Sequence, residues 1–509
     1  MPEVEINPTT RIEGHHGTTI DVQDGRIRSA KSHMEMFRGI ENITVGRPPS
    51  DVPQITQMVC GVCFTSHRKG ATLALEDAAA RAGVFDGVPY NARLLQNVME
   101  GMFLLWNHAV HLFTLAGPDY SDALADTGYA RLNPNEGAGY ESAMSNQRTL
   151  LQAFTEFGGR APHPLTYAPG GVVSQPDEET VERVRQRIAS VNEWIGPTEA
   201  IPDVLEAVRD KQAPPSEAQG LYDLLSVLVA AAEEDADEFG VGPGRFYANG
   251  MFYDSDGGYV FPGGVLTDGS LHNPSRTELI ASITEDTSHA WYTEESGGHP
   301  QRAPPPEPAP DKEGAYSWGK APRFDGQSIE TGPLARLIAA EEDPFDLRSR
   351  FGGDPRRSST LNRLIARVQE FVLVRDMLGE WLDEVDIHGP MRGEWTDDFT
   401  GEGVGLWGAS RGALSHWVRV EDGEIANYQI ISPTLWNLGP RDADGNPSVL
   451  EYALEGMAVE DPRDPVNVMR TIRSYDPCLG CAVHVQDSDD NRFTKELEPP
   501  RPTAPSGDD

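Results

Sequence analysis

The sequence predicts an α+β fold that is mainly helical, on three observations. Long segments carry apolar residues at helical spacing, both in the first half of the chain and again near residue 360. Strand-like segments open the chain, and another pair flanks the Asp422-Gly423 turn. Irregular sequence rich in Gly and Pro separates the two helical regions. We therefore expect a bundle of long helices flanked by small α/β parts.

The N-terminal sheet is the first predicted element. Val4 to Ile6 and Thr18 to Val22 have the composition of strands, and an Asp-Gly turn at residues 24 and 25 precedes a third short segment. These features place a small sheet within about residues 1–50.

Helical spacing begins at Pro53 and predicts the main bundle over about residues 53–240 and 333–400. In this pattern Cys60, Cys63 and His67 stand at i, i+3 and i+7, so we expect them on one helix face. The periodic segments that follow span residues 91–116, 180–194, 216–239, 333–340 and 358–384.

The remaining regions are less regular. Residues of about 240–330 form a predicted Pro/Gly-rich insertion, because the Pro-rich run at 302–311 excludes regular helix and sheet and is expected to be exposed. A C-terminal part at about 401–484 contains a hairpin of 415–421 with 424–431. Residues 485–509 are polar and Pro-rich, which predicts a disordered extension.

The charge balance excludes some partners. The chain has 42 basic and 80 acidic residues, for a net charge of −38, so nucleic acid is not expected to bind. Acidic residues spread along the whole chain favour a salt-rich environment, where screening reduces self-repulsion. No apolar run is long enough to span a bilayer, and residues 1–6 do not resemble a signal peptide. We expect neither a transmembrane segment nor a targeting sequence of its own.

The four cysteines form two Cys-x-x-Cys pairs, Cys60 with Cys63 and Cys478 with Cys481, and a His follows each pair. Three interpretations are open: a zinc site, independent redox or buried thiols, and one soft-metal site that joins both ends of the chain. A structural zinc site usually has its pairs much closer in sequence. A ligand set rich in thiolates favours nickel, iron or zinc over magnesium or calcium.

The neighbourhood of these pairs resembles the large, catalytic subunit of [NiFe] hydrogenases. The motifs that carry the resemblance occur in the same order and at similar offsets between residues 11 and 484: Arg11-Ile-Glu-Gly-His15, Phe37-Arg-Gly-Ile-Glu41, Cys60-Gly-Val-Cys63 with His67, Lys320 to Gly326, Gly332 to Arg336, Ser410 to Leu414, Asn427 to Gln429, Pro433 to Asn437, and Asp476-Pro-Cys-Leu-Gly-Cys481 with His484.

The resemblance implies a catalytic unit over residues 1–484, with the large-subunit fold and a metal centre inside the helix bundle. Cys60 and Cys478 would be terminal nickel ligands, and Cys63 and Cys481 would bridge nickel to an iron that carries carbon monoxide and cyanide. Splitting H2 needs a Lewis-acidic metal and a nearby base. Thiolates can supply an electron-rich metal and candidate bases.

The resemblance also implies roles for residues around the metals. Glu13 is expected to carry protons out, because its counterpart lies beside the thiolate that corresponds to Cys478, and an apolar setting would raise its pKa toward the working range. The guanidinium of Arg411 is expected over the open metal position, and His67 beside a bridging thiolate. Further neighbours of the centre are expected at Asn107, Pro433, Thr434 and Asp476.

A magnesium site is implied near the C-terminal end. Its ligands would be Glu41, His484 and the backbone carbonyl of Ile430, since oxygen and imidazole groups suit a hard cation.

Three residues depart from the family pattern. Met58 stands where the family usually has Arg, Asn107 stands within a segment that is often His-Asp-His, and Ser410 replaces the Pro of Ala-Pro-Arg. We expect Asn107 to change the charge near the diatomic ligands of iron, and the loss of Pro at 410 to loosen the loop that carries Arg411. Activity is expected to survive these changes.

The function expected from the resemblance is reversible cleavage of H2, in the direction of uptake into a respiratory chain. Because all four cysteines would be used at one centre, iron–sulfur clusters must reside in a partner, the hydrogenase small subunit. Other expected partners are a membrane cytochrome b-type anchor, nickel-insertion factors and an endopeptidase that cuts after His484. The complex is expected at the membrane, on the outer face through co-export, with the cytoplasm as the alternative.

Two other functions fit part of the pattern. The quinone-site subunit of respiratory complex I shares the fold without the metal, but the four cysteines argue against it. A structural zinc protein would keep the cysteines, but Glu13 and Arg411 argue against it. Metal analysis separates all three.

Overall fold

Helices dominate the computed structural model, which describes residues 3–121, 131–134, 136–351 and 354–481. The helices in this part of the chain are α1 (Ile40–Thr44), α2 (Val52–Thr56), α3 (Phe64–Arg81), α4 (Tyr90–Ala109), α5 (Ala138–Gly158), α6 (Glu178–Ile195), α7 (Ile201–Arg209), α8 (Gln219–Glu233), α9 (Arg276–Ala281), α10 (Pro333–Ala339), α11 (Leu347–Arg350), α12 (Thr360–Glu384), α13 (Pro433–Leu438), α14 (Val449–Leu454) and α15 (Val466–Ser474).

Most strands are short, and the longer ones lie within residues 16–34 and 401–431. They are β1 (Glu3–Ile6), β2 (His16–Gln23), β3 (Arg26–Met34), β4 (Tyr167–Ala168), β5 (Gly171–Val172), β6 (Phe246–Ala248), β7 (Met251–Tyr253), β8 (Tyr259–Phe261), β9 (Gly264–Thr267), β10 (Ser270–His272), β11 (Ile283–Asp286), β12 (Ala321–Phe324), β13 (Gly401–Ala409), β14 (Gly412–Glu421) and β15 (Glu424–Ile431). The predicted α+β fold that is mainly helical is confirmed.

The bundle is built around α4, which packs against α12 and α5, while α5 packs against α6. Nearly all of α4 beyond its first turn is buried, as expected for a helix with apolar residues on most faces. The helix predicted over residues 91–116 is correct as far as Ala109. From Val110 to Ala116 the backbone widens into a π-helical turn, a feature that apolar spacing does not predict.

Three antiparallel three-stranded sheets occur among the described residues, in the orders β1-β2-β3, β10-β9-β6 and β13-β14-β15. The order β1-β2-β3 confirms the predicted N-terminal sheet, and β14 and β15 form the predicted hairpin through Asp422-Gly423. The strand β13 is not predicted from the sequence, and it pairs with β14 along its full length. The segment contains glycines at 401, 403, 405 and 408, and glycine is depleted in strands, so its composition does not indicate a strand.

Those glycines have a structural role in positioning α3. A Cβ atom at Gly403 would collide with the backbone oxygen of Ala74, and one at Gly405 with that of Gly70. The backbone of α3 therefore lies directly on the sheet of β13 and β14. Because α3 begins just after Cys63, this contact fixes the position of the first cysteine pair.

The Pro-rich run at 302–311 contains no regular helix or strand, as predicted. It is not fully exposed, which corrects the expectation of an exposed insertion. Ala303 is buried, and its carbonyl oxygen accepts a hydrogen bond from Asn427 Nδ2 at 2.8 Å, while Pro306 accepts one from Asn42. Proline lacks an N–H but keeps its carbonyl, so polar side chains of α1 and β15 can hold the run against the sheet.

Candidate metal centre

Three cysteine sulfurs meet in the interior of the molecule. The Sγ atoms of Cys60 and Cys63 each lie 3.2 Å from Cys478 Sγ, and all three lie within 4.8 Å of one another. All three side chains are buried, although more than 400 residues separate the two ends of the chain that supply them. Cys481 belongs to a 3-10 turn over Leu479–Cys481, and its side chain lies outside the described residues.

The first cysteine pair lies on a turn rather than on a helix. The backbone of Cys60 is extended, with φ −148° and ψ 140°, and α3 begins only at Phe64. The expectation that Cys60, Cys63 and His67 share a helix face is therefore wrong. The backbone amides of Val62 and Cys63 donate hydrogen bonds to Cys60 Sγ, with N to S distances of 3.1 and 3.3 Å. These bonds hold the backbone in a turn instead of a helix.

The N-terminal segment packs directly against the second cysteine pair. Glu13 and Cys478 form a parallel β-bridge, in which the amide of Leu479 donates to the Glu13 carbonyl oxygen at 2.9 Å. This approach requires glycine on both sides, because a Cβ at Gly14 would lie 2.8 Å from Leu479 Cβ and one at Gly480 would lie 2.7 Å from Glu13 Oε1. Gly14 also has φ +81°, which favours glycine.

The carboxylate of Glu13 lies beside the sulfur cluster. Its Oε2 is 3.2 Å from Cys478 Sγ and accepts a hydrogen bond from the Gly480 amide at 2.8 Å. The side chain of Glu13 is half-buried, so it lies between the buried sulfurs and the molecular surface. The carboxylate of Glu13 thus contacts both the sulfur of Cys478 and the backbone of Gly480.

Arg411 is held from two sides on the loop between β13 and β14. Its Nε and Nη2 donate to the backbone and side-chain oxygens of Asp476 at 2.9 and 3.1 Å, and its Nη1 donates to Asn107 Oδ1 at 2.8 Å. Burial alone would lower the pKa of Arg411, but the charges of Asp476, Cys478 and Cys60 outweigh it and raise the pKa above its usual value. Arg411 is therefore a permanent buried cation beside the sulfurs.

A second buried ion pair fixes that loop, and the sequence analysis did not assign it a role. Arg336 on α10 donates to both carboxylate oxygens of Glu370 at 2.5 and 2.7 Å, and to the carbonyl oxygen of Ala409 at 2.6 Å. His108 Nε2 lies 2.7 Å from Glu370 Oε2. Arg336 ends the motif Gly332 to Arg336, but only its contact with Ala409 shows that it holds the backbone next to Arg411.

His67 is buried at the start of α3, and its described hydrogen bond goes to another histidine. Its Nδ1 lies 3.1 Å from His416 Nε2, and His416 Nδ1 lies 2.6 Å from the Tyr428 hydroxyl. Burial, with a smaller effect of Arg38, lowers the pKa of His67 to about 3, so the ring is neutral at physiological pH. His416 lies outside every motif of the resemblance, whereas Tyr428 lies within the motif Asn427 to Gln429.

A small cavity adjoins Cys63, and its walls combine apolar groups with hydrogen-bond donors. Pro433 and Thr434 at the start of α13 line it, and Thr434 Oγ1 accepts a hydrogen bond from the Cys478 amide at 3.1 Å. Ser66 and Ser410 also belong to its lining, each with a side-chain hydroxyl. Both hydroxyls are buried and have no hydrogen-bond partner among the described residues. Met58, the third departure from the family pattern, is 49% exposed and does not line this cavity.

The residues expected around magnesium form a separate cluster. Glu41 Oε1 lies 3.4 Å from the Ile430 amide, and Lys320 nearby bonds to Glu285 and Gln429 at 2.9 Å each. Burial raises the pKa of Glu41 to about 7, although the positive charge of Lys320 opposes the shift. His484, the third expected ligand, lies outside the described residues.

The donor set of the sulfur cluster fits soft metals. Three buried cysteine sulfurs lie within one metal's reach, with a fixed cation and a half-buried carboxylate beside them. As thiolates they can hold a soft metal, and the carboxylate can serve it as a base. Burial first, and then the neighbouring Cys60, raises the pKa of the Cys478 thiol well above its usual value when no metal cation is present. A bound cation reverses this effect, because metal coordination deprotonates thiols.

Comparison with known proteins gives consistent matches over almost the whole chain. Residues 38–136 and 133–484 match a family described as nickel-dependent hydrogenase, and residues 3–37 match one described as HoxL-like. The periplasmic [NiFeSe] hydrogenase large subunit of Desulfomicrobium baculatum is 33% identical over 520 residues, which cover 95% of each chain. The quinone-reactive Ni/Fe-hydrogenase large chain of Wolinella succinogenes is 28% identical over 590 residues and 97% of each chain.

A solved structure agrees with these matches. The Ni-Fe-Se hydrogenase of D. vulgaris Hildenborough in the reduced state superposes with a TM-score of 0.81 at 31% identity, over 95% of this chain and 100% of that chain.

Proposed function

This chain belongs to the nickel-dependent hydrogenase family as a catalytic large subunit, an oxidoreductase that acts on H2, and from that premise we propose that it takes up H2 for a respiratory chain. The similarity to a quinone-reactive large chain supports this direction, because quinone is a respiratory electron acceptor. The net charge of −38 supports work in a salt-rich environment.

The proposed metal ligands are the four cysteines. Cys60 and Cys478 would hold nickel as its terminal ligands, and Cys63 and Cys481 would be shared between nickel and an iron that carries CO and CN. The support is the convergence of three of these sulfurs within 4.8 Å, which is the single observation that carries the proposal. All four positions are cysteine, so the ligand set contains sulfur only.

The bound centre supplies a Lewis acid at which H2 is polarised. Glu13 accepts a proton from the neighbourhood of Cys478 Sγ and passes it toward the surface, since its Oε2 is 3.2 Å from that sulfur and its side chain is half-buried. Arg411 presents a fixed positive charge to the reacting region, held there by Asp476 and Asn107. Thr434 holds the backbone of Cys478 through its hydroxyl, and Pro433 closes the cavity wall.

His67 is proposed to support the bridging thiolates from its place on the wall that it shares with Cys63. Its bond with His416 fixes the ring.

A magnesium ion is proposed at Glu41, the Ile430 backbone and His484. Burial of the Glu41 carboxylate supports a cation there, because an isolated buried carboxylate is costly. Residues 485–509 are proposed to be removed by an endopeptidase that cuts after His484, once nickel-insertion factors have acted.

We propose that electrons pass from this chain to a small subunit and from there to a cytochrome b-type membrane protein. With all four cysteines assigned to nickel and iron, none is left for iron–sulfur clusters in this chain. Within the described residues no helix combines the length and apolarity needed to cross a bilayer. We propose attachment to the membrane through these partners, on its outer face, a placement that similarity to a periplasmic large subunit supports.

Metal analysis with infrared spectroscopy tests the proposal. The protein purified in high salt with its partner should contain nickel and iron, together with the infrared bands of metal-bound CO and CN. Cys478→Ser should lose nickel, whereas Cys478 in the wild-type chain should resist thiol-alkylating reagents until the metal is removed. Zinc alone, or thiols without metal, would contradict the proposed centre.

A further inference from the structure

The small cavity beside Cys63 is lined in part by Ser410, a residue to which the proposed function gives no role. Its apolar lining consists of Ala409, Leu414 and Pro433, and its polar lining includes Arg411 and Ser410. Arg411 already donates to Asp476 and Asn107. Ser410 is 1% exposed, and its Oγ has no hydrogen-bond partner among the described residues.

The backbone around Ser410 is fixed. Arg336 donates to the carbonyl oxygen of Ala409 at 2.6 Å and to that of Ser410 at 3.4 Å, and Arg336 is itself held by Glu370. These contacts hold the backbone of Ser410 in place at the cavity wall. Buried hydroxyls are nearly always hydrogen-bonded, so an unpartnered one on a cavity wall points to an acceptor inside the cavity.

The acceptor must be small and must offer a lone pair. Cyanide on iron meets both requirements, since its nitrogen is a good hydrogen-bond acceptor, whereas the oxygen of metal-bound carbon monoxide is a poor one. We propose that the Ser410 hydroxyl donates a hydrogen bond to the nitrogen of an iron-bound cyanide. This inference rests on the proposed function, because it needs the iron with its diatomic ligands.

The proposed bond distinguishes this chain from the family pattern. Proline, which the family has at this position, carries no hydroxyl. A hydrogen bond to cyanide nitrogen withdraws electron density from iron, so Ser410 acts on the centre through its ligand. It is a positioning and tuning residue that does not touch H2.

Infrared spectra of the purified holoenzyme with its partner test the assignment. Ser410→Ala removes the hydroxyl, and Ser410→Pro removes it while restoring the family residue, which keeps the test open if alanine prevents maturation. Ser432→Ala is the matched control, because Ser432 is also fully buried and unpartnered among the described residues but does not line the cavity.

The expected result is a shift of one cyanide band in both Ser410 variants, larger than the shift of the CO band, with unchanged bands in Ser432→Ala. The wild-type cyanide band should also differ between H2O and D2O, and this difference should vanish in the variants. Cyanide bands that are identical in wild type and both Ser410 variants would overturn the inference. A cyanide band that shifts in Ser66→Ala but in neither Ser410 variant would also overturn the inference. Absence of CO and CN bands from the wild type would instead overturn the proposed function, and the inference with it.

Discussion

Arg411 donates a hydrogen bond from Nη1 to Asn107 Oδ1 at 2.8 Å, so the central helix α4 holds the cation that lies beside the sulfur cluster. Asn107 is fully buried and also bonds to the Phe103 carbonyl of its own helix at 3.0 Å. Because the side chain of Asn107 is an uncharged amide, it does not neutralise the positive charge of Arg411. Asp476 alone supplies a carboxylate directly to Arg411 among the described residues.

Asn107→Ala should destabilise the protein, because it leaves a buried N–H of Arg411 without its acceptor. The expected loss is about 1–3 kcal/mol of unfolding free energy, measured by calorimetry or denaturant unfolding. Asn146→Ala is the matched control, since Asn146 bonds only to a carbonyl of its own helix, and it should change stability by about 0.5 kcal/mol or less. Equal effects of the two substitutions would remove the energetic role assigned to the Arg411 contact.

Glu13→Gln should stop proton transfer while leaving the metal centre in place. General acid–base groups contribute about 10²–10⁴-fold to rate, so H2 oxidation and H2/D2 exchange should fall by about that factor. Nickel and iron contents should match the wild type, because Glu13 is not a proposed ligand. Glu5→Gln, an exposed carboxylate in the same N-terminal segment, serves as control and should keep full activity. Full exchange activity in Glu13→Gln would exclude Glu13 from the proton path.

Glu370→Gln should cost about 3–5 kcal/mol near neutral pH, because it leaves Arg336 as an uncompensated buried charge. Burial alone would raise the pKa of Glu370, but Arg336 and His108 outweigh it and lower the pKa to about 2. The carboxylate thus contributes stability above its unfolded-state pKa of about 4.5, and this stability is lost as pH falls toward 2.

The difference in melting temperature between wild type and Glu370→Gln should therefore be constant from pH 7 to about pH 5 and shrink at lower pH. Glu341→Gln, whose carboxylate is 65% exposed, provides the comparison and should show little difference at any pH. A wild-type advantage that persists unchanged at the lowest pH would contradict the ionised Glu370–Arg336 pair.

Gly403→Ala should destabilise the contact between α3 and the C-terminal sheet, because its Cβ would collide with backbone atoms of Ala74 and Ala78. Overpacking of this kind costs about 1–3 kcal/mol, and nickel retention should fall with it, since α3 positions the first cysteine pair. Gly379→Ala in α12 has open space around its Cβ and should stabilise the helix by about 1 kcal/mol. Calorimetry of both variants measures these changes in stability. An unchanged stability in Gly403→Ala would contradict the close packing of α3 on β13.

Local chemistry made much of the fold predictable. Alternating strands, helical apolar spacing and an Asp-Gly turn identified the N-terminal sheet, the β14–β15 hairpin and the helices α4, α6, α8, α10 and α12. The 21-residue helix α5 lies in none of the predicted periodic segments. The same reasoning failed at Cys60, where two amides turn toward one sulfur, and at β13, where glycine content reflects close packing against α3. Both failures come from contacts that residue type and spacing do not encode.

By itself the sequence determined the mainly helical α+β class, the two cysteine pairs and the residues that resemble a hydrogenase large subunit, because motif identity and periodicity are properties of the chain. Only the tertiary structure decided that Cys478 meets Cys60 and Cys63, that Asn107 is the partner of Arg411, and that Arg336 holds the Ala409 carbonyl. These contacts join residues up to 418 positions apart. Packing of the whole core brings them together, so no local pattern could specify them.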